Sequence, residues 1–260
     1  MPLNLPSPSE FALKPVSPAP LSCKICDGAS ALYGVVDFHK SCNAKADVPV
    51  SGVPIYYRRC PSCGFLFTDA FDDWSEAQFK THIYNDGYHA FDPDYEITRP
   101  RGNAGRVAQL WGHHKAGMRV LDFGGGNDVF CAALRDSGFP VAITYDPMVP
   151  EHASPPEGKF DLVTCFETLE HLPDPVAGIG RIAEYVADPG AVFYSTLTQP
   201  ADFDNRGLSW WYVGPRNGHI SIFTRQALSE AWARYGFKNA SLSDGSHMAF
   251  RNLPPDWRMG

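Results

Sequence analysis

A run of three glycines after an acidic residue is the part of this sequence best suited to bind a small molecule. The residues are Asp122, Gly124, Gly125 and Gly126. Successive glycines let the backbone turn sharply and approach a ligand that any Cβ would obstruct. The short apolar run before them, 119–123, predicts a buried parallel strand, and 127–137 has the apolar spacing of a helix. A strand, a glycine loop and a helix in this order favour a nucleotide-type site.

Two further acidic positions follow predicted strands. Residues 141–145 read as the next strand, and Asp146 stands at its end, 20 residues after Gly126. A carboxylate there is placed to accept hydrogen bonds from ribose hydroxyls. The segment 160–172, with the sequence FDLVTCFETLEHL, predicts another strand that ends at Phe166 and Glu167. In open α/β sheets ligands bind at the carboxyl ends of the strands, so both residues are candidate site residues.

These segments resemble the S-adenosylmethionine-dependent methyltransferases of class I. The sequence DFGGGN at 122–127 resembles their motif I, and 160–172 resembles the segment that forms their fourth strand and the loop after it. The resemblance implies an α/β, Rossmann-like, seven-stranded core with S-adenosylmethionine as cofactor. It further implies that Asp122 and the three glycines contact the methionine end of the cofactor and that Asp146 contacts its ribose.

The segment after Asp146 departs from the family pattern. Only 13 residues separate Asp146 from Phe160, and four of them are prolines, which disfavour a helix. We therefore expect a core truncated around strand three, with the usual adenine wall rebuilt or missing. Met148 is the candidate cover for the adenine face. Tyr88, upstream of the core, lies where related enzymes place a helical lid over the cofactor.

Four cysteines form two CxxC pairs that are typical of zinc knuckles. Cys23 and Cys26 make the first pair, and Cys60 and Cys63 make the second after 33 intervening residues. Two such turns complete a tetrahedral site of four thiolates, and a site closed by four protein ligands is structural. The alternative is four ordinary buried thiols. Cys42, between the pairs, is either an alternative ligand or a free thiol.

Two histidines are the candidate catalytic residues. His219 stands in GHISIFT, which resembles an H-x-S-x-F-[ST] element of many small-molecule methyltransferases. A neutral imidazole accepts a proton near neutral pH, so His219 is either a general base or substrate contact, or a packed histidine that fixes its loop. His171 belongs to the E-H pair after the fourth strand, where a structural role is the alternative to catalysis.

The overall organisation follows from composition and local pattern. We expect a proline-rich flexible leader over 1–20, a zinc-binding module over 21–68, a helical connector or lid over 69–116, and the cofactor-binding domain over 117–260. The net charge of −7 and the lack of a basic run disfavour a nucleic-acid partner. No apolar run is long enough to cross a membrane and no secretory signal begins the chain. With paired CxxC motifs, this indicates a reducing cytoplasm.

The predicted function is methyl transfer from S-adenosylmethionine to a small-molecule acceptor, a sugar or natural-product intermediate, with an oxygen favoured. The CxxC module resembles that of deoxysugar C-methyltransferases only in part, because their histidine-rich signature is reduced here to His219. Two alternatives stay open. One is an RNA base methyltransferase that holds RNA through the zinc module, and the other is a non-catalytic scaffold. Neither the acceptor nor the oligomeric state follows from the sequence.

Overall fold

The computed structural model describes residues 19–43 and 48–257. Except for its last two residues, the expected proline-rich leader over 1–20 lies outside the described residues. In the described part the strands are β1 (Leu21–Ser22), β2 (Ala29–Asp37), β3 (Pro54–Arg59), β4 (Leu66–Phe67), β5 (Arg119–Phe123), β6 (Val141–Tyr145), β7 (Phe160–Phe166), β8 (Val186–Ser195), β9 (Ser221–Ile222), β10 (Lys238–Ser241) and β11 (His247–Phe250). The α-helices there are α1 (Glu76–His82), α2 (Thr98–Trp111), α3 (Val129–Asp136), α4 (Pro175–Ala183), α5 (Phe203–Arg206) and α6 (Arg225–Ala233).

The chain folds into two compact units, each assembled from separate stretches of sequence. Of the described residues, the first contains 19–43, 48–93, 170–176 and 197–231, and the second contains 94–169, 177–196 and 232–257. This division differs from the predicted boundaries, which put everything after 117 into one domain. The reason lies in strand pairing: β9 is hydrogen-bonded to β4, which ties 197–231 to the N-terminal residues.

The first unit is built on a five-stranded antiparallel sheet in the order β1-β2-β3-β4-β9. The residues at 32–38 and 53–58 are of types that favour β-strands, and these two runs form the central hairpin, β2 and β3. Aromatic side chains fill the core of this unit, and Tyr57, Phe65, Phe67, Phe71 and Phe223 are all buried. In the described part of the segment between the two CxxC pairs, β2 and β3 are therefore paired as a hairpin.

The second unit holds a six-stranded sheet in the order β10-β11-β8-β7-β5-β6. Strands β6, β5, β7 and β8 are parallel, and β11 and β10 add antiparallel pairs at one edge. Between Tyr145 and Phe160 the described chain has only a short 3₁₀ turn, Pro150–His152. The truncation around strand three is thus confirmed, and the sheet ends at β6.

The predicted elements of this unit match the structure closely at the glycine loop and less closely elsewhere. Strands β5 and β6 begin and end where the sequence predicted. Helix α2 is longer than its sequence indicates: the polar stretch to Gly102, broken by glycines, predicts a helix only from Arg106, but the helix begins at Thr98. Pro100 lies in its first turn, where a missing N–H costs nothing. Ala104, Val107 and Trp111 share the buried face, whose packing outweighs the weak helix propensity of glycine.

The apolar run from Ala191 predicts a strand there, but β8 begins five residues earlier, at Val186. Its pairing with β7 is irregular, because Phe160 pairs with Val186 and Leu162 already pairs with Ala191. Thr224 is a residue type that caps helix N-termini, which predicts that the last helix begins after it. Its hydroxyl accepts a hydrogen bond from Ala227 N at 3.0 Å, and α6 begins at the next residue. No helix among residues 19–43 and 48–257 is long and apolar enough to span a bilayer.

Candidate functional site

Asp122 lies near the end of β5, between β7 and β6 in the sheet of the second unit, and is buried. Its Oδ1 accepts a hydrogen bond of 2.7 Å from the hydroxyl of Thr164, its neighbour on β7. Burial raises the pKa of the Asp122 carboxyl to about 7; the Thr164 hydrogen bond opposes the shift, while the charges of Asp146 and Asp128 add to it. The first acidic residue is therefore a carboxyl poised between its two protonation states near neutral pH.

The glycine loop follows directly and leaves an open backbone surface. Gly124 and Gly126 have φ of +72° and +61°, a region that side chains rarely adopt. A Cβ on Gly126 would meet no atom within 4 Å, whereas a Cβ on Gly125 would fall 2.3 Å from Asp122 Oδ2. The loop thus needs glycine for two reasons, a left-handed turn and the close approach of Asp122.

Asp146 lies beside this loop and orders it. Its Oδ2 accepts a 2.9 Å hydrogen bond from Gly126 N, and its Oδ1 accepts one of 2.8 Å from Met148 N. Each carboxylate oxygen has a second lone pair, so the group can still accept hydrogen bonds from a ligand. The structure therefore joins Asp146, the glycine loop and half-buried Met148 in one place, and their contacts with a cofactor stay predictions.

Glu167 follows β7 in a conformation that is unusual for a residue with a side chain. Its φ is +48°, and its Oε1 accepts a 2.6 Å hydrogen bond from the Ser195 hydroxyl at the end of β8. The backbone N–H of Glu167 in turn points at Ser195 Oγ, 3.0 Å away. Left-handed non-glycine residues of this kind concentrate at functional sites, where the surrounding contacts offset their strain.

Two predicted cofactor residues have other neighbours. The ring of Phe166 packs edge-on against Phe130 and Phe193 in the core of the second unit. Tyr88 is buried in the first unit, where its hydroxyl donates to the Asn217 carbonyl at 3.3 Å. Their proposed contacts with a cofactor stay predictions.

The candidate catalytic histidines lie together in the first unit, with ring centroids 4.9 Å apart. His219 is buried, and its Nδ1 lies 2.8 Å from the Tyr212 carbonyl oxygen and 3.3 Å from Cys42 Sγ. His171 is half-buried, with Nδ1 3.1 Å from the Gly218 carbonyl oxygen. Carbonyls only accept hydrogen bonds, so each neutral imidazole carries its proton on Nδ1 and its lone pair on Nε2. The carbonyl contacts at Nδ1 therefore orient both rings.

Glu170 completes this cluster, although the sequence offered it only as half of an E-H pair. It is fully buried, and Oε1 accepts a 2.6 Å hydrogen bond from the Tyr212 hydroxyl. One donor atom each from Glu170, His171 and His219 lie within 4.8 Å of one another. The cluster could not be read from the sequence, because 47 residues separate the two histidines' segments and only the return of the chain through β9 joins them.

The four cysteines converge as the two CxxC pairs predict. Cys23 Sγ lies 3.6 Å from Cys63 Sγ, and Cys26 Sγ lies 3.4 Å from Cys60 Sγ. All four sulfurs are within 4.8 Å of one another. A tetrahedral zinc with Zn–S bonds of about 2.3 Å requires sulfurs roughly 3.8 Å apart, so the cluster fits zinc closely. Cys42 lies apart from this quartet and contacts His219 instead.

Thr164 and Ser195, the hydroxyl partners of the two carboxyl groups, were not predicted. Both are paired with a predicted site residue on the neighbouring strand: Thr164 with Asp122, and Ser195 with Phe166. A hydroxyl at the carboxyl end of a neighbouring parallel strand is the signal that identifies such partners.

The sheet order, the glycine loop at the end of β5 and the acidic residue after β6 define a class I methyltransferase fold. The sequence pattern of the family described as "Methyltransferase domain" matches residues 95–242, and the chain belongs to that family.

Relatives and solved structures agree with this assignment. The ubiquinone biosynthesis O-methyltransferase of Escherichia coli O139:H28 is 31% identical over 117 residues, in a match that covers 36% of this chain and 46% of that protein. The enzyme of the same name from Escherichia fergusonii matches equally well. The chain thus spans about half the length of these relatives. An O-methyltransferase family protein from Burkholderia thailandensis superposes with a TM-score of 0.50 at 16% identity, covering 68% of this chain and 63% of that one. This similarity shows a shared fold.

Proposed function

We propose that the protein is an S-adenosylmethionine-dependent methyltransferase that methylates an oxygen of a small molecule, such as a sugar or natural-product intermediate. The observation that carries the proposal is the open cradle at Gly126, bordered by Asp122 and Asp146 at the carboxyl ends of two adjacent parallel strands. The O-methyltransferase relatives support the choice of oxygen as the acceptor atom.

The residues present in the second unit fit this cofactor. Asp146 can accept the ribose hydroxyls while it holds the loop, and the glycine backbone leaves room for the methionine end. Met148 would cover the adenine, since strand three and its wall are missing. When bound, S-adenosylmethionine supplies a methyl group on a positively charged sulfur, and the carboxylates of Asp122 and Glu167 favour that charge.

We assign activation of the acceptor to His219, with His171 beside it. His219 Nε2 would accept the proton of the acceptor hydroxyl, and the cofactor would supply the methyl group. Holding Nδ1–H on the Tyr212 carbonyl fixes the tautomer that this step requires. We further propose that the four cysteines hold a structural zinc and that the protein works in a reducing compartment, the cytoplasm, where such thiolates persist.

Calorimetric titration of the full chain with S-adenosylmethionine tests the proposal. We expect saturable binding that Asp146→Asn weakens and that Asp136→Asn, an exposed change at the end of α3, leaves unchanged. Incubation with methyl-labelled cofactor and a cell extract, followed by mass spectrometry, then identifies the acceptor. Absence of cofactor binding by the folded wild-type protein would contradict the proposal and favour a non-catalytic scaffold. Labelling of RNA instead of small molecules would contradict the acceptor class.

A further inference from the structure

A general base needs one proton-accepting group, but Glu170, His171 and His219 bring three such groups together. Two imidazoles and one carboxylate, with donor atoms within 4.8 Å of one another, form a ligand set suited to divalent transition-metal ions. Glu170 and His219 are buried, and His171 is half-buried, so the cluster is accessible to solvent on the side of His171. This is the geometry of a site with three protein ligands and open positions.

The hydrogen bonds around the histidines are those of metal ligands. Metal-binding histidines usually donate their second ring N–H to a carbonyl or carboxylate, which fixes the ring and its tautomer. His219 does so to the Tyr212 carbonyl at 2.8 Å, and His171 does so to the Gly218 carbonyl at 3.1 Å. With Nδ1 donating its N–H in this way, Nε2 is the ring nitrogen that would bind a cation.

The carboxylate is oriented by the same neighbour. The Tyr212 hydroxyl donates to Glu170 Oε1 at 2.6 Å, while the Tyr212 backbone carbonyl holds His219. Tyr212 is itself buried, and its hydroxyl accepts a 3.1 Å hydrogen bond from Leu197 N. One fixed residue therefore positions two of the three ligands, as the outer partners of metal sites do.

We propose that Glu170, His171 and His219 bind a divalent transition-metal cation, at a second metal site separate from the four-cysteine cluster. This inference rests on the proposed function. In that reaction, the cation would bind the oxygen of the acceptor. When bound, the cation would lower the pKa of the acceptor hydroxyl, as metal ions do for bound water. With the cation bound, His219 would serve as its ligand, and the proton acceptance assigned above to Nε2 would apply to the metal-free site.

Cobalt titration of the purified full chain, with zinc already in the cysteine cluster, tests the site. Co²⁺ bound by nitrogen and oxygen gives visible d–d bands without the near-ultraviolet charge-transfer bands of cobalt–thiolate bonds. We expect one such equivalent in the wild-type protein and none in His219→Ala or Glu170→Gln. Tyr212→Phe keeps all three ligands but loses the hydrogen bond to Glu170, so Co²⁺ affinity should fall about 10- to 100-fold.

His89→Ala is the matched control, because His89 is an exposed histidine of the same unit whose Nδ1 also contacts a carbonyl. It should bind Co²⁺ like the wild-type protein. His171→Ala replaces Glu170→Gln if circular dichroism shows that the latter does not fold. Absence of the nitrogen-and-oxygen equivalent from the wild-type protein, or its survival in folded His219→Ala, would overturn the proposal. Cofactor binding measured on the same samples shows separately whether the methyltransferase assignment stands.

Discussion

Gly125 lies so close to Asp122 that a Cβ on the glycine would fall 2.3 Å from the carboxylate Oδ2 and 2.9 Å from its carbon. Asp122 cannot turn away easily, because its other oxygen is held by Thr164 at 2.7 Å in the buried end of the sheet. The acidic residue and the middle glycine of the loop therefore fit each other, and neither can change alone without moving the loop.

Gly125→Ala should destabilise the protein and abolish S-adenosylmethionine binding. The added methyl group must displace the buried Asp122 side chain, and overpacking of this kind costs about 1–3 kcal/mol. Gly105→Ala in α2 is the matched control, since a Cβ there meets no atom within 4 Å. It should stabilise the protein by roughly 0.5–1 kcal/mol, because alanine is the better helix former. Urea denaturation and calorimetry measure both effects, and equal stability of the two variants would refute the steric argument.

Asp122→Asn should change how stability depends on pH. The pKa of Asp122 in the folded protein is about 7, against an ordinary value of 3.8. Between these values the folded state keeps a proton that the unfolded chain has lost, so this group's contribution to stability falls as pH rises from about 4 to 7. The asparagine variant does not titrate and escapes that fall. Relative to the wild-type protein it should gain about 2–3 kcal/mol between pH 5 and pH 8.

Urea denaturation at both pH values gives this difference, and contributions from other groups cancel between the two proteins. The asparagine amide oxygen can still accept the Thr164 hydrogen bond, which limits other changes. Asp136→Asn, at an exposed position on α3, should show no such gain. A constant difference between wild type and Asp122→Asn from pH 5 to pH 8 would mean that Asp122 stays ionised in the folded protein.

The second unit was largely predictable because its signals are local. The strand 119–123, the three glycines and the strand 141–145 follow one another within 27 residues, and each element begins and ends where its apolar pattern and turn residues predict. The missing third strand could also be read, since four prolines in a short segment leave room for neither helix nor strand. The early start of α2 could not, because tertiary packing of its buried face overrides the glycine signal.

The site in the first unit lay beyond the sequence for a different reason. Local patterns identified His171 and His219, but not their contact, which depends on the pairing of Leu66–Phe67 with Ser221–Ile222. That pairing joins two-residue strands more than 150 positions apart, too short for any periodic signal. Tyr212 orients both Glu170 and His219, but in the sequence it is one of three consecutive aromatic residues, 210–212, whose pattern indicates only a loop.

Replacing Glu167 by glycine and by alanine should separate backbone strain from chemistry. Both variants lose the carboxylate that Ser195 contacts, and both should weaken binding of S-adenosylmethionine to the same extent. Only alanine keeps the side chain that disfavours the φ of +48° at this position. Glu167→Gly should therefore be more stable than Glu167→Ala by about 1 kcal/mol, as left-handed positions require. Thermal and urea denaturation report the stability difference, and a more stable alanine variant would show that the backbone at Glu167 is unstrained.

Cys60→Ser should remove the sulfur-bound metal and unfold much of the first unit. Cys60 is fully buried, and its Sγ lies 3.4 Å from that of Cys26, so a serine leaves three thiolates and an incomplete tetrahedron. Structural zinc typically contributes about 10 kcal/mol or more of binding free energy to the folded state of a small module. Cys42→Ser is the control, because Cys42 contacts His219 rather than the quartet. Elemental analysis together with the cobalt–thiolate charge-transfer bands should show the sulfur-bound metal in the wild-type protein and in Cys42→Ser, and not in Cys60→Ser. Absence of those bands from the wild-type protein would mean that the four cysteines are ordinary buried thiols, and their retention by Cys60→Ser would mean that Cys60 is not a metal ligand.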